Sequence, residues 1–257
     1  MNAVLSPEDV LGRIPDWEDA EVHELGGGLT NRTHLVESAG RRGVLKVDET
    51  VRSAPYNARP EEARIQGIAA DHDLANRVLY VDETVYLTEY VDGTVWTRAD
   101  LNDENKLVQL ARALRQLHAL PLTGRYFDAR AAAHQYVDKL GDADAVKARV
   151  CVEIIEQLRL PQPLCCCHND LVVSNIISTP GVRFLDWEYA CDNDPFFDLA
   201  TVVSHHELSS QQAQLLLDAY FDGDGARWRS QLAAQVRLYA ALHWLWAAAE
   251  TSPTENE

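Results

Sequence analysis

The sequence predicts an α+β chain in two parts: an N-terminal antiparallel five-stranded sheet with one main helix, then a mostly helical C-terminal part. Three observations lead there. Short β-like runs joined by brief turns fill residues 20–88, and consecutive hairpins favour antiparallel pairing. Beyond Thr94 the apolar residues switch to helical spacing, as in Leu107, Leu110, Leu114 and Leu117. Between the two regimes, Glu89–Thr94 leaves the strand pattern at Gly93. That composition shift divides the chain into 1–92 and 93–257.

Residues 6–13 read as a short helix, because Ser6 is a good N-cap and Pro7 suits the first helical position. Strands are expected at Ala20–Leu25, Thr33–Glu37 and Gly43–Val47, with a glycine-rich turn, Gly26–Asn31, between the first two. A helix at Pro60–Ala70 carries Glu61 and Glu62 in its first turn. Strands Arg77–Val81 and Thr84–Thr88 flank an Asp82-Glu83 turn, completing the five. Helices are then expected at 103–120, 129–140, 145–158, 195–206, 209–221 and 226–250, with Tyr239, His243, Trp244 and Trp246 on the last.

The bulk composition narrows the function classes. Of 257 residues, 46% are apolar and 25% charged, ordinary for a globular chain able to bury a sizeable core. No run approaches the roughly 18–20 apolar residues that span a bilayer, and the first residues lack a basic region followed by an apolar core. A cytoplasmic protein without membrane partners is expected. A net charge of −17 disfavours nucleic acid, whose phosphates need clustered Lys and Arg, and is compatible with a cationic ligand. Five cysteines are an odd number for a disulfide framework. Cys165, Cys166 and Cys167 alternate faces of a presumed strand, so the three cannot converge on one ion; they are read as buried thiols.

The chemistry concentrates in Cys165–Ala200. An apolar run delivers His168-Asn169-Asp170 into a polar turn; Asn175 follows, and a hairpin, Ile176–Ile177 with Val182–Leu185, ends at Asp186. A base aspartate, a metal-binding asparagine and a metal-binding aspartate after the next strand are the order of a kinase catalytic loop. Upstream, the glycines of Gly26–Asn31 would let backbone N–H groups approach a phosphate. The turn is neither a Walker A sequence nor a dinucleotide fingerprint, because no Gly-Lys-Ser/Thr follows and it leads into a strand. Only four lysines occur, so a lysine needed near the N-terminal end must be Lys46, within Val44-Leu45-Lys46-Val47. A lysine on a strand needs a carboxylate or a phosphate, and Glu62 is the expected partner.

With these parts in this order, the chain resembles the aminoglycoside phosphotransferase and choline kinase family, closest to bacterial choline or thiamine kinase-like proteins. LGGGLTNRTHLV is similar to their LSGGLTN-type nucleotide loop, and His168-Asn169-Asp170-Leu171 with Asn175 resembles their HNDL…N. Leu185-Asp186-Trp187-Glu188-Tyr189-Ala190 resembles the IDWEYA stretch, and Asp194-Pro195 with Asp198-Leu199-Ala200 resembles the helix start that follows. The resemblance covers nearly the whole chain and implies a bilobal protein-kinase-like fold using ATP and Mg²⁺. It implies Asp170 as the catalytic base, and Asn175 and Asp186 as Mg²⁺ ligands. Gly27, Gly28, Thr30 and Asn31 would cover the phosphates, with Lys46 holding them, Glu62 holding Lys46, and adenine lying near Glu89 and Val91. His168 and Asp198 would support the catalytic loop. Glu188, Tyr189 and Trp246 would surround a cationic acceptor, choline-like first and thiamine-like second. The alternative acceptor is an aminoglycoside or amino sugar. A nucleotide-binding pseudokinase would have lost Lys46, Asp170, Asn175 or Asp186, and all four are present. Asp186 is followed by Trp-Glu rather than Phe-Gly, and no activation segment follows, so protein substrates are not expected.

Overall fold

A computed structural model describes residues 6–25, 32–48, 51, 58–140, 144–157 and 163–251. In chain order these form α1 (Pro7–Leu11), β1 (Glu21–Leu25), β2 (Arg32–Ser38), β3 (Arg41–Val47), α2 (Arg59–Ala70), β4 (Val78–Val81), β5 (Val85–Glu89) and β6 (Thr94–Val95). Helices α3 (Glu104–Leu117), α4 (Ala129–Leu140) and α5 (Ala145–Glu156) follow, then β7 (Cys165–Cys167), β8 (Ile176–Ser178), β9 (Val182–Phe184) and β10 (Cys191–Asn193). The chain closes with α6 (Pro195–His205), α7 (Ser210–Tyr220) and α8 (Arg229–Thr251). The fold is α+β, with the antiparallel five-stranded sheet β1-β2-β3-β5-β4 and a mostly helical second part. No helix among the described residues is long and apolar enough to cross a membrane.

Two compact units emerge: Met1–Trp96 with Ser174–Ala190, and Thr97–Val173 with Cys191–Glu257. The sequence suggests one boundary near residue 92, whereas the hairpin β8–β9 groups with the first unit. Its reasons are local: β8 pairs with β6, and Phe184 N–H donates to the Leu74 carbonyl at 2.8 Å. Gly93 allows this approach, because a Cβ there would overlap the Ser178 carbonyl.

In the first unit, strand alternation gives the sheet two different faces. Leu45 and its cross-strand partner Leu87 point with Val36 and Val85 into a core closed by Val10, Leu11, Ile14 and Trp17. α1 is set by a capping box, Ser6 accepting from Asp9 N–H while Asp9 accepts from Ser6 N–H. Lys46 and Tyr86, one residue along and also paired, take the other face. There the Tyr86 hydroxyl lies 2.8 Å from Gln66 Oε1 of α2. The β2–β3 turn is Ala39-Gly40, both at positive φ (48° and 77°), the two-residue geometry whose twist matches a hairpin.

In the second unit, α3 buries its leucine stripe against α7, and α8 packs on α4, α5 and α6. α6 starts where Asp194 accepts from Phe196 N–H at 2.9 Å, with Pro195 in the first turn. β7 and β10 form a two-stranded antiparallel ladder beneath that start, with Cys167 opposite Cys191.

Candidate active site

Lys46 is only 16% exposed, and its ammonium lies 2.8 Å from Asp186 Oδ1. The expected pair with Glu62 is not formed. Glu62 is fully buried and accepts instead from Arg59 Nη1 at 2.6 Å. Arg59 stands three residues earlier on the same helix face, nearer than a strand lysine. The guanidinium also donates through Nε and Nη2 to the two oxygens of Asp48, both at 2.8 Å, and lies over the Tyr86 ring. Glu62 Oε1 is left without a hydrogen-bond partner. Burial raises the Glu62 pKa, opposed by the charges of Arg59 and Lys46. Arg59 and Asp48 are the residues that sequence reading missed; the available signal was an arginine on the buried face of a helix, three residues before an acid.

Asn175 and Asp186 stand at the same end of the β8–β9 hairpin. Ile176 pairs with Phe184, and Leu185 N–H donates to the Asn175 carbonyl at 2.8 Å, so both side chains leave from adjacent backbone. Asp186 adopts left-handed backbone (φ 63°, ψ 74°), a conformation that an L-residue holds at a cost and that recurs at functional turns. A carboxylate and an amide offer hard oxygen donors, the type that Mg²⁺ takes. The residues present therefore fit that ion. Directly after Asp186, Trp187–Tyr189 make one 3₁₀ turn. Trp187 is buried and donates to the Phe184 carbonyl at 2.9 Å, Glu188 is buried, and Tyr189 is 42% exposed.

At the end of β5, Arg77 forks onto the Glu89 carboxylate at 3.0 and 3.1 Å and holds its pKa below the usual range. The Glu89 N–H is committed to the Arg77 carbonyl and its own carbonyl accepts from Asn76. Gly27, Gly28, Thr30 and Asn31 lie outside the described residues.

In the second unit, β7 runs into His168-Asn169-Asp170. Buried Asp198 accepts the backbone N–H groups of His168 and Asn169 at 2.9 and 2.8 Å. Its carboxylate also lies 3.0 Å from His118 Nε2, whose Nδ1 is 2.6 Å from the Tyr220 hydroxyl. Asn169 turns the chain through left-handed backbone at φ 65°, and its side-chain oxygen accepts from Asn193 at 2.8 Å. On the far side of the turn, His206 Nε2 lies 3.1 Å from the Leu171 carbonyl. The loop that carries Asp170 is thus held by side chains from α6, from His206 just after it, and from β10.

Burial pushes the Tyr239 hydroxyl pKa up and the His243 pKa down; the charge of Asp170 adds to the first shift and opposes the second. Tyr239 and His243 belong to a ladder on α8 at one-turn intervals. Tyr239 stacks on His243 with ring centroids 5.7 Å apart, and His243 meets Trp246 at 5.6 Å. Trp246 is 39% exposed at the outer end. Of the aromatic residues that the sequence places on this helix, Trp246 was assigned to the acceptor; Tyr239 and His243 share its face.

The deciding comparison covers most of the molecule: residues 21–247 match the APH family, described as the phosphotransferase enzyme family. The chain belongs to this phosphotransferase family. Among relatives, protein LicA of Haemophilus influenzae is 29% identical over 206 residues, 76% of this chain and 61% of LicA. The match thus spans about three fifths of that relative. The thiamine kinase of Shigella boydii is 27% identical, covering 95% of this chain and 82% of the kinase. Among solved structures, choline kinase LicA from Streptococcus pneumoniae superposes on this phosphotransferase with a TM-score of 0.74 at 21% identity, over 92% of this chain and 87% of that one. LicA in complex with AMP gives the same score.

Proposed function

We propose that this phosphotransferase moves the γ-phosphoryl group of ATP, with Mg²⁺, to the hydroxyl of a small cationic alcohol, choline-like first and thiamine-like second. The observation that carries the reading is Asp170, a carboxylate on a firmly held loop, electrostatically coupled to the aromatic ladder of α8. A base beside aromatic faces suits an acceptor that joins a hydroxyl to a cation. Relatives named as LicA, choline kinase and thiamine kinase support it.

In this mechanism Asp170 accepts the acceptor's hydroxyl proton as the new O–P bond forms and ADP departs. A carboxylate of ordinary basicity suffices when proton loss is late. Lys46 leaves Asp186 to hold phosphate oxygens, and Glu62 Oε1, buried and unpartnered, is its second counter-charge. Asn175 and Asp186 would hold Mg²⁺, which when bound neutralises phosphate charge and orients the transferring group. Gly27, Gly28, Thr30 and Asn31 would cover the phosphates, and the adenine would lie near Glu89 and Val91. Trp246, with Glu188 and Tyr189, would hold the cation; a desolvated aromatic face contributes about 1–2 kcal/mol.

The test is an ADP-release screen with ATP and Mg²⁺ against choline, ethanolamine, thiamine, aminoglycosides and simple sugars. Turnover with a cationic alcohol is expected. Turnover confined to aminoglycosides would replace the acceptor class and keep the reaction. With the best quaternary ammonium acceptor, Tyr189→Ala should raise the acceptor Michaelis constant about tenfold and leave that for ATP unchanged; equal effects on both would remove Tyr189 from the acceptor site.

A further inference from the structure

Behind the catalytic loop, β7 brings together groups that the phosphoryl-transfer reading does not use. Cys165 and Cys167 are two residues apart on one strand and so share a face, with their sulfurs 3.5 Å apart. Each is otherwise positioned to give its S–H only to a backbone carbonyl, of Asn193 and Asp194 at 3.7 and 3.6 Å. A ring nitrogen of His118 joins them, the three ligand atoms all within 4.8 Å of one another. Cys166 points to the opposite face and is outside this group. The three consecutive cysteines cannot converge, but two of them do.

We propose that Cys165, Cys167 and His118 bind one thiophilic divalent cation of the zinc or cadmium type. Three features of the cluster support it. First, with metal–sulfur bonds of about 2.3 Å, a 3.5 Å sulfur separation subtends about 99° at the ion, near the tetrahedral value. Second, the hydrogen bonds assign the His118 tautomer: Nε2–H donates to Asp198, leaving the Nδ1 lone pair directed at the Tyr220 hydroxyl. A histidine ligand whose other nitrogen donates to a carboxylate is the usual outer-shell arrangement of zinc sites. Third, charge balances: two thiol protons leave, and two thiolates with a neutral imidazole cancel a divalent ion, which suits a buried position. Cys165 is partly exposed and gives the route of entry. The cost is modest: His118 exchanges the Tyr220 hydrogen bond for the ion and closes on the sulfurs by about 1 Å to reach bonding distance.

The full chain, stripped with chelator, is titrated with Cd²⁺ while the ultraviolet thiolate-to-cadmium charge-transfer band is followed. One cadmium per chain is expected. Cys165→Ser and Cys167→Ser should each weaken binding by at least about 100-fold, and Cys151→Ser, on α5, should not. X-ray absorption of the zinc form should show two sulfur ligands and at least one nitrogen or oxygen ligand, a readout that needs no variant to fold. No band in the wild type, binding unchanged in either strand variant, loss in Cys151→Ser, or a four-sulfur shell would each overturn the site. None of these outcomes depends on kinase activity.

Discussion

Arg59 is wholly buried with two carboxylates and a tyrosine ring around it. Removing one member of such a set strands the others as uncompensated charge. Arg59→Met should therefore lower unfolding free energy by about 3–5 kcal/mol. Arg77 also forks onto a carboxylate, but its side chain is 72% exposed, and Arg77→Ala should cost under about 1 kcal/mol. Urea unfolding of both variants checks this; equal losses would contradict the burial argument. Lys46 was legible in the sequence, being the only lysine before Lys106 and lying on a β-patterned run. Its partner was not, because the competition between Lys46 and Arg59 for Glu62 is settled by tertiary distance. Asp48 lies eleven residues from Arg59 in the sequence, a separation no periodicity links.

Among the elements, the long ones were legible because they repeat: the alternation around Leu45 and Lys46, and the leucines of α3, mark themselves. β6 and β10 are two and three residues long, too short for any period, and exist because β8 and β7 lie alongside to pair with them. The α8 ladder has a consequence for pH. Burial holds the pKa of His243 below its ordinary 6.5, helped by the charge of His205, and burial likewise lowers His206. Both histidines thus bind protons more readily unfolded than folded. Their contribution to stability is present above the unfolded pKa and lost as pH falls through the lower folded values. The melting temperature should drop between about pH 7.5 and about pH 5.5, and less steeply in His206→Gln/His243→Gln. An unchanged slope in that variant would place the titration elsewhere.

At the scale of the molecule, the excess of acids, −17 in net charge, opposes compactness through self-repulsion. Thermal stability should accordingly rise between about 0.05 M and about 0.5 M sodium chloride, as screening shortens the reach of that repulsion. A flat response would mean that local ion pairs already absorb it. The order of parts along the chain, from strand lysine to loop aspartate to hairpin aspartate, made the fold legible, since few architectures need that order. The acceptor is less legible, because the residues proposed for it lie far apart in the sequence, on Trp187–Tyr189 and on α8. The most direct measurement is steady-state phosphoryl transfer from ATP to the best acceptor, with product identified by mass, in wild type and Asp170→Asn. A phosphorylated alcohol is expected in the wild type, and in Asp170→Asn a fall in kcat of at least about 100-fold with ATP binding intact. Full activity in Asp170→Asn would contradict that expectation.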